Sequence, residues 1–559
     1  MGRVKILEVN NLSLSFIQDK CTIDILKNIS FSLNHSQTLG IVGESGSGKS
    51  LTALSIIRLI PQNASLHDGK VLFSENDGLT DLLILPEKEM LNFRGKNISM
   101  IFQEPMTSLN PSMKCGNQVA EVIIKHLKVN KNNAKLKVQE LFDEVKLPDP
   151  VRIFNSYPHQ LSGGQRQRVM IAMAIALKPS ILIADEPTTA LDVTVQKSII
   201  ELLKQIQQKY KMSIIFISHD LGIISQIADH ILVMRNGEVI EYGAASEILN
   251  NPKQDYTKGL LKCRPTLQLK PYRLPTLSNF NNNVAVNPEI SKKDDRQVVL
   301  SVTNLSKKYI LKKNFLGNTR QEFFAINNIS FNVYEGETLG LVGESGSGKT
   351  TLGRMICQLI LNDRGNIYFK GKSLNELNKK QLREFHGKVQ IIFQDPYSSL
   401  NPKITIGEAI MEPMKVHRLY SSEIERKEKT FDLLDKVRLS KDSFYKYPHE
   451  FSGGQRQRIV IARAVALQPE FIICDESVSA LDVSVQAEIL NLLNDLKDEY
   501  GLTYIFISHD LSVVKYMSDR VMVLKDGKLV EINDADTLYK SPASEYTKKL
   551  IDSIPDISK

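Results

Sequence analysis

The stretch Tyr157-Pro158-His159-Gln160-Leu161-Ser162-Gly163-Gly164-Gln165-Arg166-Gln167-Arg168 is written again, almost letter for letter, from Tyr447 to Arg458, with Ser452-Gly453-Gly454-Gln455 at its centre. A glycine pair behind a serine, opening a run of helical periodicity, presents free backbone N–H groups at a helix start, where an anion is favoured. Leu161 to Gln165 therefore reads as half of a phosphate site. The other half must lie elsewhere in the chain, and finding it decides the fold.

It lies upstream, and it too is duplicated. "GIVGESGSGKS" ends at Ser50 and "GLVGESGSGKT" at Thr350, so Gly43–Ser50 and Gly343–Thr350 both fit GxxxxGK[ST]. Each follows a short apolar strand ("TLGIVG", "TLGLVG") and opens a helical pattern, the order a phosphate-binding loop requires. Gly43, Ser45, Gly46 and Gly48, with Gly343, Ser345, Gly346 and Gly348 in the second copy, let successive N–H groups converge on a phosphate chain. Lys49 or Lys349 then reaches the terminal phosphates, and the Ser50 or Thr350 hydroxyl can ligate Mg²⁺. Two matches in this context separate the pattern from an ordinary Gly-rich turn.

Further motifs repeat in the same order. Asp185 and Asp475 end the apolar strands "ILIADE" and "FIICDE", where a carboxylate has no packing reason to sit and stands beside the Mg²⁺ of such a site. Glu186 and Glu476 follow directly; successive strand residues face opposite ways, so the aspartate can serve the metal while the glutamate addresses the attacking water. His219 and His509 end the next strands in "FISHDL". Alone each would be a plain polar residue, but recurrence beside the same sheet makes them candidate γ-phosphate ligands. Gln103 and Gln394, after "MIF" and "IIF", are candidates for binding Mg²⁺ or water. Phe16 and Tyr309 end the first strand of each copy, where a ring either stacks on adenine or packs in the core.

The motifs divide the 559 residues into a first domain, 1–262, a second, 299–559, and a linker, 263–298, rich in Pro, Asn and Ser with no sustained period. The first copy carries about ten extra residues near "SENDGLTDLLILPEKEM", where a surface loop tolerates length. Strands alternating with helices predict an α/β fold with a mainly parallel core sheet. The opening strands of each half predict an added antiparallel β part, and the residues between Gln103 and Ser162, or Gln394 and Ser452, a helical subdomain. "MRNGEV" and "LKDGKL" carry the Asn-Gly and Asp-Gly turns of closing hairpins.

Five cysteines without CxxC spacing argue against a zinc site, an iron–sulfur cluster or a disulfide framework. No apolar run reaches the ~18 residues of a membrane helix, and the N-terminus lacks an apolar signal region, so a cytoplasmic place is expected. The net charge of +8 is mild enough for solvated surface lysines to account for it.

The order of phosphate loop, glutamine, Ser-Gly-Gly-Gln, Asp-Glu, Leu-Asp and histidine resembles the ATP-binding cassette (ABC) ATPases, with two nucleotide-binding domains on one polypeptide. That resemblance implies ATP and Mg²⁺ as cofactors. It also implies head-to-tail pairing of the two domains, with Ser452 to Gln455 over the nucleotide on Lys49 and Ser162 to Gln165 over that on Lys349. "NPKQDYTKGLLKCRP" and "SPASEYTKKLIDSIP" are similar to the C-terminal extension of the oligopeptide, dipeptide and nickel importer ATPases, although Gln254-Asp255-Tyr256 and Ser544-Glu545-Tyr546 replace that group's His-Pro-Tyr. The implied function is the energy-coupling subunit of a bacterial importer of peptides, or of nickel, glutathione or an opine-like solute. It would sit at the cytoplasmic face of the membrane with two permeases and an extracytoplasmic solute-binding protein, without nucleic acid. The rival from another class, a soluble twin-cassette ATPase acting on ribosomes, typically has a long charged helical linker, unlike residues 263–298. One difference between the halves touches the chemistry. Pro187 follows Glu186 and should hold it extended, whereas Ser477 follows Glu476, so the second loop is expected to be less constrained and its site slower.

Overall fold

The structure, a computed structural model, describes residues 4–18, 21–75, 78–103, 108–189, 191–268, 270–277, 279–280, 296–313, 319–479 and 481–555. The chain divides into two compact units, with the main boundary after Leu261.

In the first unit β1 (Lys5–Gln18), β2 (Cys21–Asn34), β4 (Ala64–Glu75) and β5 (Gly78–Asp81) form an antiparallel sheet in the order β2-β1-β4-β5. The second sheet is built from β3 (Thr38–Val42), β6 (Ile98–Ile101), β7 (Ile181–Asp185), β8 (Ser213–Ile217), β9 (His230–Arg235) and β10 (Glu238–Ala244), in the order β10-β9-β3-β8-β7-β6. All its neighbours are parallel except the β9–β10 edge. β3, β7 and β8 are buried along their whole length, which is why they read as unbroken apolar runs rather than alternating ones. The inner face of the antiparallel sheet (Leu7, Val9, Leu14, Leu26) closes on the other sheet through the helix Lys49–Ile56, giving one core.

The second unit repeats this plan. β11 (Val298–Lys313), β12 (Thr319–Tyr334), β14 (Arg364–Phe369) and β15 (Lys372–Ser373) form the antiparallel sheet in the order β12-β11-β14-β15. β13 (Thr338–Val342), β16 (Val389–Ile392), β17 (Phe471–Asp475), β18 (Thr503–Ile507), β19 (Arg520–Lys525) and β20 (Lys528–Asp534) form the other, in the order β16-β17-β18-β13-β19-β20. The expected α/β architecture is therefore present in both halves. So are the helical subdomains, Cys115–Leu127 with Lys131–Glu144 and Ile406–Val416 with Glu423–Lys436. The extra length of the first copy is split. Phe73 of β4 faces Leu7 as Phe369 of β14 faces Leu300, an offset of 296 between the copies, against 300 at Lys49 and Lys349 and 291 at Gln103 and Gln394. Part of it therefore precedes Phe73 and only part lies between β4 and β6, where β5 and the helix Glu87–Phe93 have counterparts in β15 and the helix Lys379–Lys388. The closing hairpins turn on Asn236-Gly237 and Asp526-Gly527, all at positive φ, as the tight turn between twisted strands demands.

Part of the segment read as a linker is packed. Leu274 is buried in the core of the second unit, its N–H donating to Asn491 Oδ1 at 2.9 Å and its carbonyl accepting from Asn491 Nδ2 at 2.9 Å. Lys270 Nζ donates to Ser518 O at 2.8 Å, and Arg273 pairs with Asp495 at 2.7 Å. Residues 281–295 of that segment lie outside the described residues.

Candidate functional site

The loop between β3 and the helix Lys49–Ile56 folds back because Gly43 has φ +154° and no room for a side chain: a Cβ there would meet Met234 O at 2.2 Å. The loop wraps a buried lysine, and Lys49 Nζ donates to Gly43 O and Glu44 O, both at 2.8 Å. Ser50 Oγ donates to Asp185 Oδ1 at 3.1 Å, joining the loop to the end of β7. Burial raises the Asp185 carboxyl to about 6 against the opposing Ser50 hydroxyl and Lys49 ammonium.

Glu186 stands next in the chain and collects three partners. Its Oε2 accepts from Gln103 Nε2 at 3.1 Å and from Thr189 Oγ1 at 2.8 Å, and its Oε1 lies 3.2 Å from His219 Nδ1. Burial alone would raise this carboxyl, but His219, Thr189 and Lys49 outweigh it and bring it down to about 2. Two adjacent carboxyls are thus driven apart, the arrangement that assigns them different tasks.

The second unit builds the same cluster. Lys349 Nζ donates to Gly343 O at 2.7 Å and Glu344 O at 3.0 Å, and Thr350 Oγ1 donates to Asp475 Oδ1 at 3.1 Å. Gln394 Nε2 donates to Glu476 Oε2 at 2.7 Å, and His509 Nδ1 lies 3.3 Å from the same oxygen. Burial raises Asp475, while His509 and Lys349 lower Glu476 against burial.

One expectation is corrected. Glu186 is not extended despite Pro187; it has φ +46°, and Glu476, with no proline behind it, has φ +49°. Both are pinned there by their N–H groups, which donate to Ile217 O and Ile507 O at 3.0 and 2.9 Å. A left-handed backbone costs a side-chain-bearing residue about 1–2 kcal/mol, and it recurs at the two positions that aim a carboxylate. The sheet, not the proline, sets this loop, so Ser477 leaves its backbone unaltered.

Phe16 is half-buried and packs against the first core, whereas Tyr309 is 40% exposed with the Lys307 ammonium 5.8 Å from its ring centre. Ser162 and Ser452 cap the helices Gly163–Ile175 and Gly453–Val465. Each hydroxyl accepts from the N–H of Gln165 or Gln455, and each glutamine side chain accepts from the serine N–H in return.

Three contributors lie outside the nucleotide motifs. Thr189 holds Glu186, and its identity as a hydroxyl three residues after the glutamate is the one signal that could have found it. Tyr256 and Tyr546, in the C-terminal extensions, accept hydrogen bonds from the N–H groups of Glu44 and Glu344. Their recurrence in two otherwise different extensions was the available clue. Burial raises the Tyr546 hydroxyl to about 12, so it stays protonated.

The donor sets suit a hard cation. No group of three or more His, Cys, Asp or Glu forms a cage among the described residues, and a hydroxyl with one carboxylate is the open, all-oxygen pair expected for Mg²⁺ that shares its shell with phosphates and water.

The chain is similar to known proteins along nearly its whole length. The family model described as "ABC transporter" matches residues 26–189 and 326–479, and the one described as "Oligopeptide/dipeptide transporter, C-terminal region" matches 240–289 and 530–559. The chain is 44% identical over 98% of its length to a glutathione import ATP-binding protein of Escherichia coli, covering 89% of that protein. The counterpart from Pectobacterium atrosepticum is 43% identical over 99% of this chain and 90% of its own. Among solved structures, a dimeric post-hydrolysis ATP-binding cassette bound to ADP and Pi is 30% identical over 42% of this chain and 98% of that chain, with a TM-score of 0.39.

Proposed function

The chain belongs to the ABC transporter ATP-binding proteins, with two cassettes on one polypeptide and an oligopeptide/dipeptide-type region after each, and from that premise we propose that it couples ATP hydrolysis to solute import. The observation that carries the reading is the carboxylate cluster built twice: Ser50–Asp185 beside Gln103–Glu186–His219, and Thr350–Asp475 beside Gln394–Glu476–His509.

ATP lies with its phosphates along Gly43–Ser50 or Gly343–Thr350, and Lys49 or Lys349 exchanges main-chain oxygens for the terminal phosphates. Mg²⁺, for which Ser50 with Asp185 and Thr350 with Asp475 are the donors, neutralises phosphate charge when bound. Glu186 and Glu476 orient the attacking water and take its proton as the new P–O bond forms and the bridging oxygen leaves with ADP. His219 and His509 hold those carboxylates in place and face the γ-phosphate. Gln103 and Gln394, tied to the same carboxylates, join the chemistry to the helical subdomains. The gain is positioning and electrostatics rather than covalent catalysis.

By the family pattern, the signature of each cassette, Ser162–Gln165 or Ser452–Gln455, closes over the nucleotide held by the other, so ATP binding and release become a mechanical stroke. No helix among the described residues is long and apolar enough to cross a membrane. The stroke therefore acts on two permease subunits at the cytoplasmic face, fed by an extracytoplasmic solute-binding protein. The solute we propose is a small peptide, with the tripeptide glutathione as first candidate, supported by the relatives' names and the oligopeptide-type extensions.

The test is to purify the intact complex from membranes, identify its partners, and measure which solute stimulates ATP hydrolysis. Stimulation by glutathione or another small peptide is the expected result. Stimulation by a sugar and never by a peptide defeats the solute class; a chain that never travels with integral membrane proteins defeats the coupling role.

A further inference from the structure

Tyr256 and Tyr546 stand outside every motif that carries nucleotide chemistry, yet each reaches a phosphate-binding loop. In the first cassette the Glu44 N–H donates to the Tyr256 hydroxyl at 3.4 Å, while the Glu44 carbonyl accepts from the Lys49 ammonium at 2.8 Å. In the second, the Glu344 N–H donates to Tyr546 at 3.3 Å and its carbonyl accepts from Lys349 at 3.0 Å. The main chain of one loop residue is therefore held on one side by the extension and on the other by the lysine that must serve the phosphates.

The tyrosines are themselves held. The Arg235 guanidinium lies 4.8 Å from the Tyr256 ring centre and the Lys525 ammonium 4.7 Å from that of Tyr546. Those cations end β9 and β19, and the turns that follow touch the loops again, with Gly237 N–H donating to Ser47 O and Gly527 N–H to Ser347 O, both at 3.1 Å. Extension, hairpin and loop thus form one buttress, built twice. Gln254-Asp255 precede one tyrosine and Ser544-Glu545 the other, so the shared contact belongs to the tyrosine and not to its neighbours.

We propose that Tyr256 and Tyr546 are positioning residues for nucleotide binding: each fixes the second residue of its phosphate-binding loop, so that the C-terminal extension sets the affinity of its cassette for ATP. A loop already fixed loses less conformational freedom when the phosphates arrive. The contact is made equally in the ground state and the transition state, so it changes binding and leaves the chemical step alone. At these lengths each bond is at the weak end of the range, and its loss should weaken binding about threefold. The inference rests on reading Gly43–Ser50 and Gly343–Thr350 as the ATP sites.

The experiment compares the full chain with Tyr256→Phe, Tyr546→Phe and the double variant, by binding of a fluorescent ATP analogue with and without Mg²⁺ and by steady-state hydrolysis. Phenylalanine keeps the ring beside Arg235 or Lys525 and removes only the hydroxyl. The expected result is that Kd and KM rise together about threefold in the double variant with kcat unchanged. An unchanged Kd overturns the proposal, even if the melting temperature falls, because that would show packing alone; a lowered kcat at unchanged Kd overturns it too. Lys49→Ala with Lys349→Ala is the reference. If that variant still binds ATP, the loop assignment fails and takes the proposal with it. If it loses binding while the phenylalanine variants bind as wild type, only the role of the tyrosines fails.

Discussion

Thr189 donates to the Glu186 carboxylate, whereas Ser479, three residues after Glu476, donates to the Glu476 main-chain oxygen at 3.0 Å. Threonine is β-branched and stiff about χ1, so its hydroxyl stays where it is aimed, while serine is free to turn away. If the Glu476 site turns over more slowly, this contact is the cause and Ser477 is not, since its loop keeps the backbone of its partner. Thr189→Val should lower kcat about tenfold at unchanged KM, the loss expected for one hydrogen bond to a charged group. Thr189→Ser should lose part of that rate, because its hydroxyl is free to turn away as that of Ser479 does, and Ser479→Ala should change little; equal losses from Thr189→Val and Ser479→Ala in steady-state assays would refute the asymmetry. The Asp185 carboxyl, raised to about 6 by burial, makes a second prediction. A raised acid favours its protonated form, so its contribution to the stability of the nucleotide-free fold is full below about 3.8 and lost as pH rises through about 6. Conversely, the Mg²⁺-dependent tightening of ATP binding at the first site should fade as pH falls through about 6, because proton and cation compete for one carboxylate. Titrating ATP affinity against pH with and without Mg²⁺ reads this directly, and Asp185→Asn should flatten the curve. Lys49, Ser50, Gln103, Asp185, Glu186 and His219 were legible in the sequence because motif spacing fixes each to a strand end or loop. Thr189 was not, because a hydroxyl on a turn has many ordinary uses and only the turn's geometry aims it.

The helical subdomains show how an element's fit depends on a single absent side chain. Gly116, in the helix Cys115–Leu127, lies so close to the Phe154 ring that a Cβ would come within 2.1 Å of it; Gly407, in the helix Ile406–Val416, meets Phe444 at 2.3 Å. The same approach in both units marks the glycine as a packing requirement rather than a helix weakness. Gly116→Ala should therefore destabilise the protein by about 1–3 kcal/mol through overpacking, although alanine is the better helix former. Denaturant unfolding gives the sign: a stabilised protein would mean that the ring moves aside without cost. Helical periodicity revealed these elements, and strand-helix alternation revealed the sheet. The partner of each glycine was not readable, since Phe154 and Phe444 lie dozens of residues away and nothing local points to them.

At the scale of the whole chain, the composition of residues 263–298 reads as a linker because Pro and Asn break every period, yet Leu274 is clasped by Asn491 through both of its main-chain groups. The clue was Asn491 itself, a buried amide within the helix Val483–Tyr500, which a core position tolerates only with a partner. Asn491→Ala leaves the buried N–H and C=O of Leu274 without that partner, so hydrogen exchange at the Leu274 amide should rise at least tenfold. Exchange as slow as in the wild type would show that the clasp contributes nothing. Duplication also supplies a control that a single cassette lacks. The β4–β5 hairpin accepted added length in one copy without changing the sheet order shared by both, and it carries Leu79 at 71% exposure. The closing hairpin turns offer no such latitude, since a Cβ on Gly237 would meet Ile25 O at 1.8 Å. For anyone wishing to attach a dye, an epitope or a crosslinker to one half of a duplicated chain, the lengthened hairpin is an address that only the first cassette has.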